Sequence, residues 1–232
     1  DDPEHALVVL NPSRPALRKR LDLTLEGFAR FAEGKPPNVC LCLHQAITDP
    51  EHDLELGQSI QRLGLEPRLI RNPLGDGVAS DADLARLYQA CDVGLSTSMG
   101  EGWGLVSFEH GATGGAQVVP DHSACADLWT GRAEMIPVAR RLVPRFSPLE
   151  LAEVDPAGVA AALERLYREP ELLRQRSRAA WQLAQDPRLR WSALAGRLGM
   201  LLGRALQSSP TAQMRSGSNP AAPGAGSSAS DR

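Results

Sequence analysis

Aromatic residues, cysteines, long apolar runs and an excess of either charge are all scarce in this 232-residue chain, and each scarcity removes a class of protein. Phe, Trp and Tyr make up 4% of it, and no apolar run approaches the roughly 20 residues needed to cross a bilayer. A transmembrane helix is excluded, while peripheral membrane contact stays open. The net charge is −3 and no basic stripe carries interleaved aromatics, so nothing pulls the chain towards nucleic acid. The four cysteines, Cys40, Cys42, Cys91 and Cys125, fall in strand-like or helix-like stretches, which reads as reduced thiols of a cytoplasmic protein. There is no secretory signal either. What remains is a globular domain with 42% hydrophobic residues, enough for one good-sized core but tight for two, with small-molecule chemistry as the prior. The chain opens at Asp1 without a methionine, which suggests a fragment.

Taken in order, apolar runs alternate with helical periods. Ala6–Leu10 is a continuous apolar run of the kind buried on both faces of a parallel sheet. A proline-punctuated basic loop from Asn11 to Arg20 follows, and then Leu21, Leu25, Phe28 and Ala32 recur at helical spacing with Gly34 to end the helix. Val39–Leu43 predicts a second strand, residues 54–63 a helix ended by Gly64, and residues 68–70 a third strand. Ser80 and Asp83 form a capping box ahead of Leu84, Leu87, Tyr88 and Cys91, predicting a helix from Asp81. Val93–Leu95, Gln117–Val119 and Glu134–Ile136 read as further strands, the last of them the final one, and Ala124–Trp129 as a short helix. Asp155 and Pro156 supply an N-cap and a first-turn proline for Val159, Leu163, Leu166 and Tyr167, and helices over 171–185 and 191–206 follow. The pattern predicts an α/β fold over residues 1–206: a doubly wound, Rossmann-like parallel sheet with carboxyl-terminal helices. From Gln207 to residue 232 the Ser, Pro, Ala and Gly composition, without apolar period, predicts a disordered tail.

The chemistry is concentrated between Leu95 and Cys125. A short apolar strand leads into a polar, glycine-rich loop from Ser96 to Gly104, and Leu105–His110 has the composition of a short helix closed by Gly111 and the Gly114-Gly115 pair. Strand, glycine loop and helix start together aim unpaired backbone N–H groups at an anion. Glu101 and Glu109 flank that helix start. A phosphate pocket repels carboxylates unless they face something else, and in a nucleotide the something else is a ribose or sugar hydroxyl. The basic loop after the first strand lies at the edge where open α/β sheets bind ligands, although from composition alone it reads first as a solvated surface or a nuclear-localisation-like cluster. Cys40, Cys42 and His44 share one strand face. Residues two apart on a strand lie roughly 6.5–7 Å apart, too far for all three to ligate one zinc without a bulge, so no metal site is assigned.

Glu101-Gly-Trp-Gly-Leu105, with Glu109 eight positions after Glu101, resembles the paired-glutamate motif of retaining GT-B glycosyltransferases of family 4, also called group 1. Leu87-Tyr88-Gln89-Ala90-Cys91-Asp92-Val93 stands where that family has a tyrosine, a small residue and Asp-Val before its strand, and Gln117-Val118-Val119 stands where it has its next strand. The resemblance runs from about Leu7 to Leu206. It implies the carboxyl-terminal, donor-binding half of such an enzyme, with the amino-terminal, acceptor-binding half absent from this chain. It also implies transfer of a sugar from a nucleotide diphosphate to a hydroxyl of a glycan, lipid or protein, with retention of configuration and with neither a metal nor a further cofactor.

The family's arginine, lysine and aspartate on the donor pyrophosphate are matched in spacing by Arg14, Lys19 and Asp22, which leaves Arg18 to solvent. The glycine that usually follows the lysine is Arg20 here, and this departure bears on the turn geometry. By the same resemblance Arg14 and Lys19 stabilise the leaving diphosphate together with N–H groups around Gly104, Leu105 and Val106. Glu101, beside Gly102 and Trp103, holds the sugar hydroxyls, Glu109 holds the ribose hydroxyls, and backbone near Arg71 and Asn72 meets the base. His44 stands where the family has a glycine-rich turn beside the nucleotide, and reads either as a ligand contact or as a surface histidine with its own partner. A dinucleotide-binding dehydrogenase is set aside, because its glycine fingerprint would follow the first strand directly, where this chain has Asn11-Pro12-Ser13-Arg14. A non-catalytic sugar-nucleotide-binding module or regulatory subunit remains the alternative.

Overall fold

The computed structural model describes residues 6–45, 50–75, 77–143, 145 and 150–208. The chain divides into two compact units, Asp1–Gln185 and Asp186–Arg232. The first is built on strands β1 (Leu7–Asn11), β2 (Val39–Leu43), β3 (Leu69–Arg71), β4 (Val93–Leu95), β5 (Ala116–Pro120) and β6 (Glu134–Ile136). All are parallel, in the order β3-β2-β1-β4-β5-β6, which is the doubly wound arrangement the alternation predicts. Around the sheet lie α1 (Leu21–Ala32), α2 (Pro50–Arg62), α3 (Asp81–Gln89), α4 (Leu105–Ala112), α5 (Ser123–Trp129), α6 (Pro156–Arg168) and α7 (Pro170–Ala184).

Strand β1 is apolar on both faces because each face meets helices. Leu7 and Val9 pack into a core with Leu25, Phe28 and Phe31 of α1 and Val159 and Leu163 of α6, whereas Val8 and Leu10 point the other way, towards Cys42, Leu87, Tyr88 and Cys91. Helices α1 and α6 approach so closely that a Cβ on Gly27 would lie 2.5 Å from Val159, so only glycine fits there. The predicted caps hold: Ser80 accepts the Asp83 N–H at 3.1 Å and Asp155 accepts the Ala157 N–H at 2.7 Å.

Several expectations change. Strand β6 is not the last, since β7 (Val138–Leu142) and β8 (Leu151–Val154) form a separate antiparallel ribbon. Gly111 does not close α4, which runs to Ala112; a Cβ on Gly111 would lie 2.8 Å from the Trp129 ring, so that glycine serves close packing. Cys91 lies beyond the end of α3. The helix expected from residue 54 starts at Pro50. The second unit contains a short 3-10 turn, Pro187–Leu189, and α8 (Trp191–Ser208), on which Trp191, Leu198, Leu201 and Leu202 are exposed. Helix α8 takes in Gln207, and the remainder of the expected tail, 209–232, lies outside the described residues. No helix among the described residues is long and apolar enough to cross a membrane.

Candidate functional site

Strands β1 and β4 are neighbours whose chains leave in opposite directions, to β2 on one side and β5 on the other. Their carboxyl ends therefore open a crevice between diverging loops, the topological switch point where open α/β sheets bind ligands. Its floor is polar and sealed. Asn11 is fully buried at the end of β1; its amide donates to Thr24 Oγ1 at 2.9 Å, and its Oδ1 accepts the Ser13 N–H at 3.0 Å. Thr24 Oγ1 lies 2.7 Å from Thr97 Oγ1, and Thr97 reaches the carbonyls of Lys19 and Arg20 at 3.0 and 2.8 Å. Buried polar groups are nearly always satisfied, and here their mutual bonds fix the loop after β1 against the loop after β4.

On that floor the structure brings Lys19 and Glu101 into an ion pair between side chains only 13% and 10% exposed. Burial acts to raise the Glu101 carboxyl, but the hydrogen bond and charge of Lys19, with Ser98 and Arg18, outweigh it and hold the carboxyl below its ordinary range. Arg18, expected in solvent, keeps its side chain 49% exposed and also reaches the acidic loop. Its Nη1 donates to the Gly100 carbonyl at 2.8 Å and stands 3.3 Å from both Ser98 Oγ and Glu101 Oε1. Arg20, where the resemblance led to a glycine, adopts the glycine-like conformation all the same, at φ 48° and ψ 56°. A side chain there costs roughly 1–2 kcal/mol.

Arg20, Asn72 and Ser123 are the non-glycine residues with positive φ among those described, and they follow β1, β3 and β5 at the carboxyl edge of the sheet. Backbone strain of this kind gathers at functional sites. Ser123 braces the acidic loop: its Oγ accepts the Glu101 N–H at 3.2 Å and lies 3.0 Å from His122 Nδ1, while His122 Nε2 lies 3.0 Å from the Ser98 carbonyl. A carbonyl can only accept, so Nε2 of His122 carries the proton and Nδ1 accepts from Ser123.

Past Gly102 and Trp103 the chain turns into α4 through Gly104, whose φ of 82° a side chain would resist. The first N–H groups of α4, at Leu105 and Val106, belong to the helix turn that lacks internal acceptors. Trp103 packs edge-on against Phe108, with ring centroids 5.7 Å apart. Glu109 is exposed on α4 and accepts from Tyr88 Oη at 3.3 Å, a partner on α3 quite distinct from that of Glu101. Burial, and then the Glu109 charge, push the Tyr88 hydroxyl well up. Its neighbour His110 is a core residue, with Nε2 3.1 Å from the Cys91 carbonyl and Nδ1 2.9 Å from the Gln117 amide.

The remaining candidates are spread along the same edge. Arg14 is exposed and makes no ion pair among the described residues. Arg71 pairs with Asp53, and Asn72 accepts the Gln45 N–H at 2.7 Å while its own N–H meets the Leu43 carbonyl at 2.8 Å. His44 keeps a buried Nδ1 without a partner, and burial lowers its pKa. Asp22 is taken up by the Arg20 guanidinium. Cys40 and Cys42 do not converge with His44: Cys40 meets the Pro37 carbonyl at 3.5 Å, and Cys42 packs with Leu10 and Cys91. Sequence reasoning missed Asn11, Thr24, Thr97, His122, Ser123 and Glu153. For Asn11, Thr97, His122 and Ser123 the signal was a polar residue at or just after the end of a buried strand, whereas Thr24 inside α1 and Glu153 inside β8 gave none.

No protein-family model matches the chain. It is similar to mannosylfructose-phosphate synthase of Agrobacterium fabrum, with 31% identity over 122 residues, 50% of this chain and 25% of that protein. In structure it is similar to HepE of Anabaena, solved with UDP and glucose, with 20% identity, a TM-score of 0.64, and 88% of this chain matched to 49% of that one. The chain has the fold of one half of a GT-B glycosyltransferase. It is also similar to the carboxyl-terminal domain of the group 1 glycosyl transferase LpcC of Francisella tularensis, at 17% identity and a TM-score of 0.60, matching 78% of this chain to 85% of that domain. The chain thus spans about a quarter of the curated relative and about half of HepE.

Proposed function

We propose that this chain is the donor-binding half of a retaining GT-B glycosyltransferase of family 4, and that the crevice between the ends of β1 and β4 takes a nucleotide diphosphate sugar. The observation that carries the reading is the Lys19–Glu101 pair: a cation and an ionised acid, both largely buried, held at the switch point immediately before the start of α4. As the bond from sugar to diphosphate breaks, negative charge grows on the leaving group. Lys19, Arg14 and the N–H groups at Gly104, Leu105 and Val106 stabilise it, without a metal ion, by charges and dipoles already in place. A carboxylate is acceptor-only, which suits Glu101 to sugar hydroxyls and Glu109 to ribose hydroxyls. Backbone at Arg71 and Asn72, with His44, lies along the same edge for the base. The acceptor, a glycan, lipid or protein hydroxyl, is bound by a second half outside these residues, so residues 6–208 bind donor without transferring it.

A thermal-shift screen with UDP, GDP, ADP and their sugars tests this. The uridine compounds come first, because HepE was solved with UDP and glucose. A ligand of the folded state at 100 times its Kd adds about 2.7 kcal/mol of stability. At least one nucleoside diphosphate is expected to raise the Tm; no shift with any of them at millimolar concentration contradicts the proposal.

A further inference from the structure

The antiparallel ribbon β7–β8 is outside the six-stranded sheet, yet three contacts bind it to the crevice. The Ala152 N–H donates to the Met99 carbonyl at 2.9 Å, and the Met99 N–H donates in turn to the Arg18 carbonyl at 2.7 Å. Leu151 packs over Gly100, its Cδ2 3.7 Å from where a Cβ on that glycine would lie. The third contact is an ion pair from Glu153 Oε2 to Arg20 Nη1, with side chains 15% and 22% exposed. The other Glu153 oxygen accepts from Arg140 Nη2 at 2.8 Å, so the carboxylate is held on both sides. Ribbon, acidic loop and basic turn are thereby closed into a ring that runs through the backbone of Lys19, the partner of Glu101.

Arg20 is the weak joint of that ring, because it sits in a left-handed conformation that glycine adopts freely and arginine resists. Thr97 fixes its carbonyl, and Asp22 binds its guanidinium at 2.7–3.2 Å. Asp22, however, lies two residues away on the same segment, so that pairing moves with the turn and cannot anchor it. Glu153, 133 positions away, is the anchor.

We propose that Glu153 is a positioning residue, which holds Arg20 in the left-handed turn and so keeps Lys19 opposite Glu101 at the donor crevice. The inference rests on the donor-binding reading for its functional consequence, but not for its geometry. It makes a specific claim: the ribbon is needed because the turn residue is arginine, and glycine at position 20 makes Glu153 dispensable.

The experiment compares the wild-type chain with Glu153→Gln, Arg20→Gly and the double variant. The first arm is amide hydrogen exchange without ligand. Glu153→Gln should speed exchange at Met99 and Ala152 about tenfold while amides of β5 stay unchanged, and in the Arg20→Gly background the same substitution should change Met99 by less than about twofold. The second arm is calorimetric titration with UDP. Glu153→Gln should raise the Kd about tenfold, Arg20→Gly should stay within about threefold of wild type, and the double variant should match Arg20→Gly. A merely stabilising ribbon would lower Tm in both backgrounds and leave the Kd alone. Equal effects of Glu153→Gln in both backgrounds, or unchanged exchange at Met99, overturn the proposal. If no nucleoside diphosphate binds the wild type, the donor reading fails, and the exchange arm still decides the role of Glu153.

Discussion

Glu101 and Glu109 flank one helix start but live in different surroundings, and ligand choice separates them. Glu101 is buried against Lys19, whereas Glu109 is exposed and bonded to Tyr88. Replacing either by Gln keeps the size and removes the charge, and a hydrogen bond to a charged group is worth roughly 1.5–3 kcal/mol. Glu109→Gln is expected to weaken a nucleoside diphosphate and its sugar alike, because both carry the ribose. Glu101→Gln is expected to weaken only the sugar nucleotide and to leave the diphosphate unchanged or tighter, since Lys19 then has no competing carboxylate. Calorimetric titration of both variants with both ligands checks this. Loss of Tm in both variants, without any ligand-dependent difference, would mean that the two acids serve the fold alone.

At the scale of elements, short-range chemistry was legible and long-range closure was not. Ser80 and Asp155 announce their helices because a cap is satisfied within three residues. Buried parallel strands announce themselves as apolar runs, as β1, β2 and β4 do, whereas β3 was expected from its place in the β-α-β alternation although it is largely exposed. The ribbon was not visible. Strand β7 reads Val-Ala-Arg-Arg-Leu with its centre exposed, and β8 buries only alternate residues, Ala152 and Val154, so neither leaves a continuous apolar run to detect. Gly111 looked like a helix stop because glycine usually is one near a helix end, while its actual neighbour, Trp129, is 18 positions away. Arg20 shows the opposite case. Sequence flagged the missing glycine, but only the structure places Glu153 beside its guanidinium. The site follows the same division: Glu101 and Glu109 stood out by residue type and spacing and Lys19 by the family resemblance, whereas Asn11, Thr24 and Thr97 matter through bonds spanning 13 and 73 positions.

For the molecule as a whole, burial sets the response to acid. Desolvation lowers the pKa of His44, His110 and His122 below the ordinary 6.5. These histidines stay neutral in the folded chain while the unfolded chain takes up protons as pH falls through that value, so stability declines from about pH 6.5 downward. Glu101 and Glu164 are held below 4.5, against the opposing effect of burial, by Lys19 and by Lys35 with Arg168 respectively. Their contribution is present in full above the unfolded value and is lost as pH falls through the folded one, which adds a second, more acidic decline. Unfolding near pH 6 should therefore take up protons, as measured by calorimetry in buffers of differing ionisation enthalpy. Proton release there would contradict the assignment.

The central claim is that loops from the two halves of the sheet meet at the switch point to form one anion site, with Lys19 as its cation. Lys19 and Arg18 are chain neighbours of equal charge, but Lys19 is 13% exposed and Arg18 is 49% exposed. Truncating one side of a desolvated charge pair costs roughly 2–4 kcal/mol of binding, while an exposed ion pair is worth about 0–1 kcal/mol. The most direct measurement is calorimetric titration of Lys19→Ala and Arg18→Ala with the nucleoside diphosphate that the thermal screen selects. A loss of that larger size for Lys19→Ala, with Arg18→Ala close to wild type, is the predicted result. Equal losses from both would describe a diffuse basic surface and contradict a built site between β1 and β4.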